Sequence, residues 1–427
     1  MVTRSIVCII GLVLTLVQVP SDCVYGQEKK IPDGTDGLYY KEDSLSHEPI
    51  KDPNEVVKRK STFKIGFGYI HDFTAYKQNH VFKQQMDSLG INLTPRAVPR
   101  DFRVLGSFRL RTKRDLAFKF GITWNGDTEE WLIRETGFTI GVPELSGHIF
   151  IGRTKEGFSM VKVMNGHSPW GYERQMALDV IPILADGIKW FGFLPTSRVF
   201  WNVGIFNDFL SKGQGFSTFE WQYVARVGWM PFYDKENSKL LHIAANLRYA
   251  KPLDGSMTLK SRPESNPTPQ LINTGKFQAD HSSHIGGEIY YAKQNFMVGS
   301  EFIFHNFYSD DAGDHNFVGG NIVLSYFLTG AVRPYNTIGS IYGFVPVKKS
   351  IFKGGWGEWE AVLTASILNL NSGSIQGGKM WRITPMINWY LSKAIRMEFI
   401  YGYVGLDRFG LNGRSQFFES RIQFTVL

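Results

Sequence analysis

The sequence predicts an all-β fold, a transmembrane antiparallel β-barrel of about sixteen strands, and three observations lead there. Apolar residues recur at every second position in strand-length runs from Ser61 to Leu427. No run after residue 26 is long and apolar enough for a membrane helix, since the best candidate, IPILADGIKWFGFLP, is interrupted by Asp186 and Lys189. The links between runs trade short for long, as turns on one side of a membrane and loops on the other require. Composition agrees. Aromatic residues make up 15% of the chain, yet mean hydropathy is only -0.17, because a lipid-facing stripe is averaged with a water-facing one.

The chain opens on MVTR, a short basic start, followed by SIVCIIGLVLTLVQV and PSDCVYG. That is the layout of a secretory signal peptide over residues 1–26, with an apolar stretch shorter than the roughly 20 residues a spanning helix needs. Both cysteines, Cys8 and Cys23, fall inside it, so disulfides and thiol catalysis are not expected of the mature chain. Residues 27–60 are polar and charged with little periodicity, and read as a mobile N-terminal segment. The formal net charge of +8 attracts anions. In an exported chain those are small solutes or lipid headgroups, and nucleic acid is not an expected partner.

The barrel is expected over residues 61–427. Its first runs are Phe63 to Tyr69, Phe102 to Leu110 and Leu116 to Trp124. Others follow at Val199 to Ile205, 219 to 229, Leu241 to Tyr249, Phe296 to Phe304, Ile322 to Tyr326 and Trp359 to Ile367. The last three are Trp381 to Leu391, Ile395 to Tyr403 and Phe418 to Val426. Weaker segments near 131–142, 146–153, 187–194 and 284–293 bring the total to about sixteen, an even number that suits a closed barrel. Short links such as 112–115, 294–295 and 392–393 alternate with long ones around 76–100, 154–186 and 251–283. Two features resist the scheme: residues 329–356 are long where a short turn is due, and Pro385 sits mid-strand, where it forfeits a ladder hydrogen bond.

The stretch FEWQYVARVGWM at 219–230 shows what the two faces meet. Phe219, Trp221, Tyr223, Val227 and Trp229 form an aromatic, lipid-facing side, and Glu220 and Arg226 lie on the other. An arginine facing lipid at mid-depth would cost roughly 2–4 kcal/mol, so Arg226 is expected in a wet lumen.

Several segments resemble the phosphate-selective porin O and P family of bacterial outer membranes. They are GYIHDFTAY at 68–76, IGRTKEGFSM at 151–160, YVARVGWMPFYD with LLHIAANLRY after it, YFLTGAVRPYN at 326–336, GEWEAVLTASILNL at 357–370, SIQGGK at 374–379, INWYLS at 387–392 and the final SRIQFTVL. The resemblance implies a water-filled barrel of sixteen strands, a homotrimer in the bacterial outer membrane, with loops folded inward to narrow the pore. The segment from Lys155 to about 186 takes the place of the constricting loop, which makes Lys155, Lys162 and Arg174 candidates to line the narrowing. Its apolar VIPILA patch suits packing against the inner wall.

Strand parity places Arg103, Arg109, Arg111, Lys119, Arg226, Arg248, Arg382, Arg396 and Arg421 toward the lumen as candidate anion contacts. Guanidinium forks fit phosphate-like oxygens in pairs. Glu220, Glu301, Glu358, Glu360, Glu398 and Glu419 share that parity, so a mixed-charge wall serving a non-selective diffusion porin is the alternative. An outer-membrane barrel enzyme is the third possibility. No catalytic set, metal site or cofactor motif is expected: NGHSPWG lacks the spacing of a nucleophile elbow, and in the set Asp280, His281, His284 and Glu288 the histidines read as ordinary surface residues rather than metal ligands. The expected partners are small phosphate-like anions and outer-membrane lipid.

Overall fold

The computed structural model describes residues 61–111, 114–209 and 219–426, with backbone alone at Arg111. The signal peptide and polar segment expected over 1–60 lie outside the described residues. Sixteen strands build the wall: β1 (Thr62–Gln78), β2 (Arg96–Arg111), β3 (Asp115–Asn125), β4 (Thr136–Val142), β5 (Gly147–Thr154), β6 (Ala185–Leu194), β7 (Val199–Asn207) and β8 (Phe219–Trp229). The second half comprises β9 (Lys239–Pro252), β10 (His281–Lys293), β11 (Phe296–Tyr308), β12 (His315–Phe327), β13 (Glu358–Ser372), β14 (Ile375–Tyr390), β15 (Ile395–Arg408) and β16 (Leu411–Val426). Each pairs antiparallel with its sequence neighbour. β1 pairs with β16 from Phe67↔Val426 to Gln78↔Ser415, which closes the barrel and leaves no free edge.

Alternation sorts the faces as the sequence requires. On β8, Tyr223, Val227 and Trp229 are exposed to the outside, whereas Gln222, Val224 and Arg226 are buried within. The start of this strand corrects the expectation. Lys251 pairs with Trp221 but Pro252 pairs with Phe219, so Glu220 is an extra residue, a β-bulge. Phe219 therefore turns inward and is buried, and Glu220 turns outward to meet Lys251 Nζ at 2.8 Å. Pro385 lies on the outer face of β14, paired with Leu363 of β13. The ladder to β15 runs from Ile383↔Tyr403 to Met386↔Ile400 with no pairing at 384 and 385, the rung that a residue without N–H gives up.

Links on the loop side are structured. Helix α1 (His80–Ser88) is capped by Asn79, whose Oδ1 accepts from the Phe82 amide at 2.8 Å, and Ser256–Ser261 pairs with Ile272–Gln278 as a hairpin. On the turn side, links such as 143–146, 195–198, 294–295 and 391–394 are short. Residues 328–357 are the exception: they enter the lumen, where Tyr335–Asn336 pairs with Ile341–Tyr342. The long interruption is thus an inward strap. The main apolar core sits inside the barrel, where Phe158, Val161 and Trp170 pack with Ile341 and Tyr342 of the strap and with Tyr290 and Val323 of the wall.

Candidate functional site

The segment between β5 and β6, residues 155–184, folds into the barrel. Its VIPILA patch packs as expected, with Val180, Ile181 and Leu184 buried. A short helix, α2 (Met160–Val163), is capped by Ser159, whose φ of 69° is costly for a residue other than glycine. Glu301 of β11 holds that conformation, accepting from Ser159 Oγ, from the Val161 amide at 3.1 Å and from Gln175 Nε2 at 2.8 Å. The loop also touches the wall closely. A Cβ at Gly68 would come within 2.4 Å of His167 Cε1, so β1 carries glycine there.

Five of the lumenal arginines serve this packing, and the expectation of a wet lumen around them is corrected. Arg226, Arg248, Arg382, Arg396 and Arg421 are each less than 5% exposed. Arg226 grips Glu288 with both Nε and Nη2 at 2.9 Å and donates to the Ser340 carbonyl of the strap at 2.9 Å. Arg248 pairs with Glu156 at 3.0 Å, and Lys162 with the same carboxylate at 2.7 Å. Arg382 pairs with Glu419 and donates to the Pro263 carbonyl. Arg396 holds the Pro169 carbonyl at 2.8 Å and pairs with Glu398; Arg421 pairs with Asp72 at 2.6 Å and holds the Tyr172 carbonyl. From the strap, Arg333 joins in, donating to Ser168 O at 2.8 Å and pairing with Glu360 at 2.9 Å. Parity correctly set the direction of these side chains. It could not show that inserted backbone would cover them.

Toward the turn-side ends of β1 to β3 some lumenal side chains differ: Lys64 is exposed, and Ser107, Arg109 and Lys119 are half-buried, although Arg103 further along β2 is buried. Above them a cavity of about 40 Å³ is lined by Arg103, Lys119, Arg134, Lys155, Glu135 and Asn165, with Leu105, Gly106 and Phe120. Lys155 Nζ is 3.1 Å and Lys119 Nζ 3.6 Å from the Glu135 carboxylate. Arg103 pairs with Asp101 at 2.6 Å, and a Cβ at Gly166 would meet Arg103 Nη1 at 3.2 Å and Arg174 Nη2 at 3.5 Å, so both guanidinium groups converge there. Burial lowers the pKa of Lys155 to about 7 against the pull of Glu135, and lowers those of Arg174, to about 10, and Arg134. Opposite them, Arg100 holds Glu173 at 2.5 Å and keeps its carboxyl well below the usual range despite burial.

Of the expected site residues, Arg109, Lys119 and Arg174 are half-buried on this side, Arg103 and Lys155 are buried beside the cavity, and Arg111 ends the same strand as Arg103 with its side chain outside the described residues. Lys162 is buried with Glu156 and does not line the cavity. Arg134 and Arg100 were missed. Arg134 falls within the segment expected near 131–142, but there the chain forms a short strand, Glu130–Ile133, paired with β3, and leaves Arg134 and Glu135 as a link before β4; a β-bulge at Arg100 shifts the register between Ile70↔Asp101 and His71↔Pro99. Among the described residues no group of three or more His, Cys, Asp or Glu is placed to hold a metal. His284 is not the surface residue expected: it is buried, with Nδ1 2.8 Å from His305 Nδ1.

A closed sixteen-stranded barrel with a lipophilic exterior, ionic interior and inward loop is the architecture of an outer-membrane porin, a diffusion channel. The chain belongs to the phosphate-selective porin O and P family, whose model matches residues 107–424, and its place is the outer membrane of a Gram-negative bacterium. No curated protein matches the sequence. Among solved structures, a trimer form of the outer-membrane protein OmpT of Vibrio cholerae is similar at 10% identity and TM-score 0.54, covering 86% of this chain and 100% of that one. The outer-membrane channel DcaP of Acinetobacter baumannii is similar at 10% identity and TM-score 0.54, with 86% and 97% covered. An anion-selective porin from Comamonas acidovorans gives 11% identity and TM-score 0.51, with 86% and 100% covered.

Proposed function

We propose that this porin passes small anions carrying phosphate-like oxygens along the β1–β5 side of its lumen, and that it does so as a homotrimer. One observation carries the reading: Arg103, Lys119, Arg134 and Lys155, drawn from four separate elements, converge on a cavity whose lining includes a single carboxylate, Glu135. Cations gathered in a confined, partly buried space are screened less than in bulk water, and they can replace an anion's hydration in successive weak contacts. Arg109 and Lys119 continue the positive side toward the turns. The family name supports phosphate as the physiological solute, and the trimeric OmpT form supports the assembly.

The test is the zero-current potential of the purified protein in a planar bilayer under a salt gradient. The expected sign is that of anion preference, moving toward zero in R103Q/R134Q. A native potential at zero would make the mixed charges of Glu135, Asp101 and Glu173 decisive and leave a general diffusion porin. Sedimentation in detergent checks the trimer.

A further inference from the structure

The strap that leaves the lumen between β12 and β13 does not end inside. We propose that its outer part, residues 348–356, is a binding site for anionic phospholipid headgroups in the leaflet on the turn side of the barrel. The backbone there is built and closed. The Lys348 amide donates to Glu358 Oε1 at 3.1 Å, the Ile351 amide to Leu391 O at 3.1 Å, the Gly355 amide to Ser350 O at 2.9 Å and the Gly357 amide to Lys349 O at 3.2 Å. A 3₁₀ turn, Ile351–Lys353, ends at Gly354 with φ 70°, and a Cβ at Gly355 would come within 2.3 Å of Lys349 O. The segment is therefore pinned to the β14–β15 turn and holds its side chains in fixed places.

What it presents is both basic and aromatic. Phe352 is 62% exposed and Trp356 83% exposed. Lys348, Lys349 and Lys353 are exposed beside them, as is Lys393 in the adjoining turn. Among the described residues none of these four lysines is ion-paired. The Trp356 carbonyl accepts the indole N–H groups of Trp359 and Trp389 at 3.1 and 3.0 Å. Those two rings, on the outward positions of β13 and β14, stack at 4.7 Å. The patch is thus continuous with the lipid-facing wall and lies at its turn-side end. Indole and phenyl rings favour the headgroup level, and unpaired lysines at that level attract negative phosphates. An anionic lipid meets both demands at once, with its chain along Trp359 and Trp389 and its phosphate among the lysines.

The experiment uses the whole protein in nanodiscs of equal phosphatidylglycerol and phosphatidylethanolamine, released for native mass spectrometry so that retained lipids are counted. Wild-type protein should retain phosphatidylglycerol in excess. K348Q/K349Q/K353Q should lower that excess at least about tenfold, while K260Q/K276Q, on the loop-side hairpin, should leave it unchanged. In vesicles with brominated acyl chains, W356F should remove part of the quenchable tryptophan emission. Equal retention of the two lipids by wild type, or an undiminished excess in the triple variant, would overturn the site; an unchanged quenchable fraction in W356F would overturn its place in the leaflet.

Discussion

The two sides of the lumen carry the same residue type at the same strand parity and use it in opposite ways. On β8 to β16, arginines are buried and bound: Arg226 by Glu288 and Ser340 O, Arg421 by Asp72 and Tyr172 O. On β2 and β3, Arg109 and Lys119 keep contact with solvent, while Arg103, further along β2, is buried and paired with Asp101. The difference arises from what lies above each wall. Where the loop and strap press down, an arginine is a fastener and its charge is spent locally; where they leave a cleft, a cation keeps contact with water. Lumenal position alone therefore does not identify an anion contact.

Substitutions separate the two sides, and the largest expected effect lies on the buried one. Arg226→Met strips a dry Glu288 of its main partner and should cost about 3–5 kcal/mol, read as a lower unfolding midpoint in denaturant, with selectivity unchanged once folded. Arg333→Met should cost less, about 1–3 kcal/mol, because Glu360 keeps Ser325, Asn388 and Tyr390 as partners. It should also raise single-channel conductance, since the strap loses its hold on Ser168. On the open side, Lys119→Gln should change stability by less than about 1 kcal/mol yet move the zero-current potential toward zero. A result with these profiles exchanged would break the distinction.

The smallest effect is a pH profile. With its pKa near 7, Lys155 is charged below that pH and neutral above it. Anion preference should therefore be greatest near pH 6 and decline in part toward pH 8.5, and Lys155→Arg should flatten the curve. The unfolded lysine holds its proton to about pH 10.4, so unfolding takes up a proton between that value and 7. This group thus makes stability rise with pH across that window.

The strand number was legible because period-two alternation survives in nearly every run, and even the weak segments at 146–153 and 187–194 became β5 and β6. The bulges at Glu220 and Arg100 were not, since one extra residue leaves the neighbouring pattern looking intact while reversing the side chains beyond it. Residues 329–356 announced themselves only as a length out of place; nothing in their composition says that they turn inward. Arg134 stayed hidden because the weak segment at 131–142 reads as one strand, whereas the chain breaks after Ile133 and leaves Arg134 in a link to which parity does not apply. Burial of the arginines is a property of distant backbone lying on them. Arg396 meets Pro169 across 227 residues of chain, a separation no local pattern can register.

Those long-range grips fall on main-chain carbonyls: Pro169, Tyr172, Ser168, Ser340 and Pro263. A carbonyl is the same whichever side chain its residue bears. The inserted segments are thereby held by features that substitution of the held residue does not erase. Such a channel resembles a lock with an interchangeable cylinder. On the proposed anion path, the half-buried Arg109 and Lys119 are the positions to exchange with the housing left in place, whereas Lys155 and Arg174 are themselves tied to the carbonyls of Val163, Met164 and Val161.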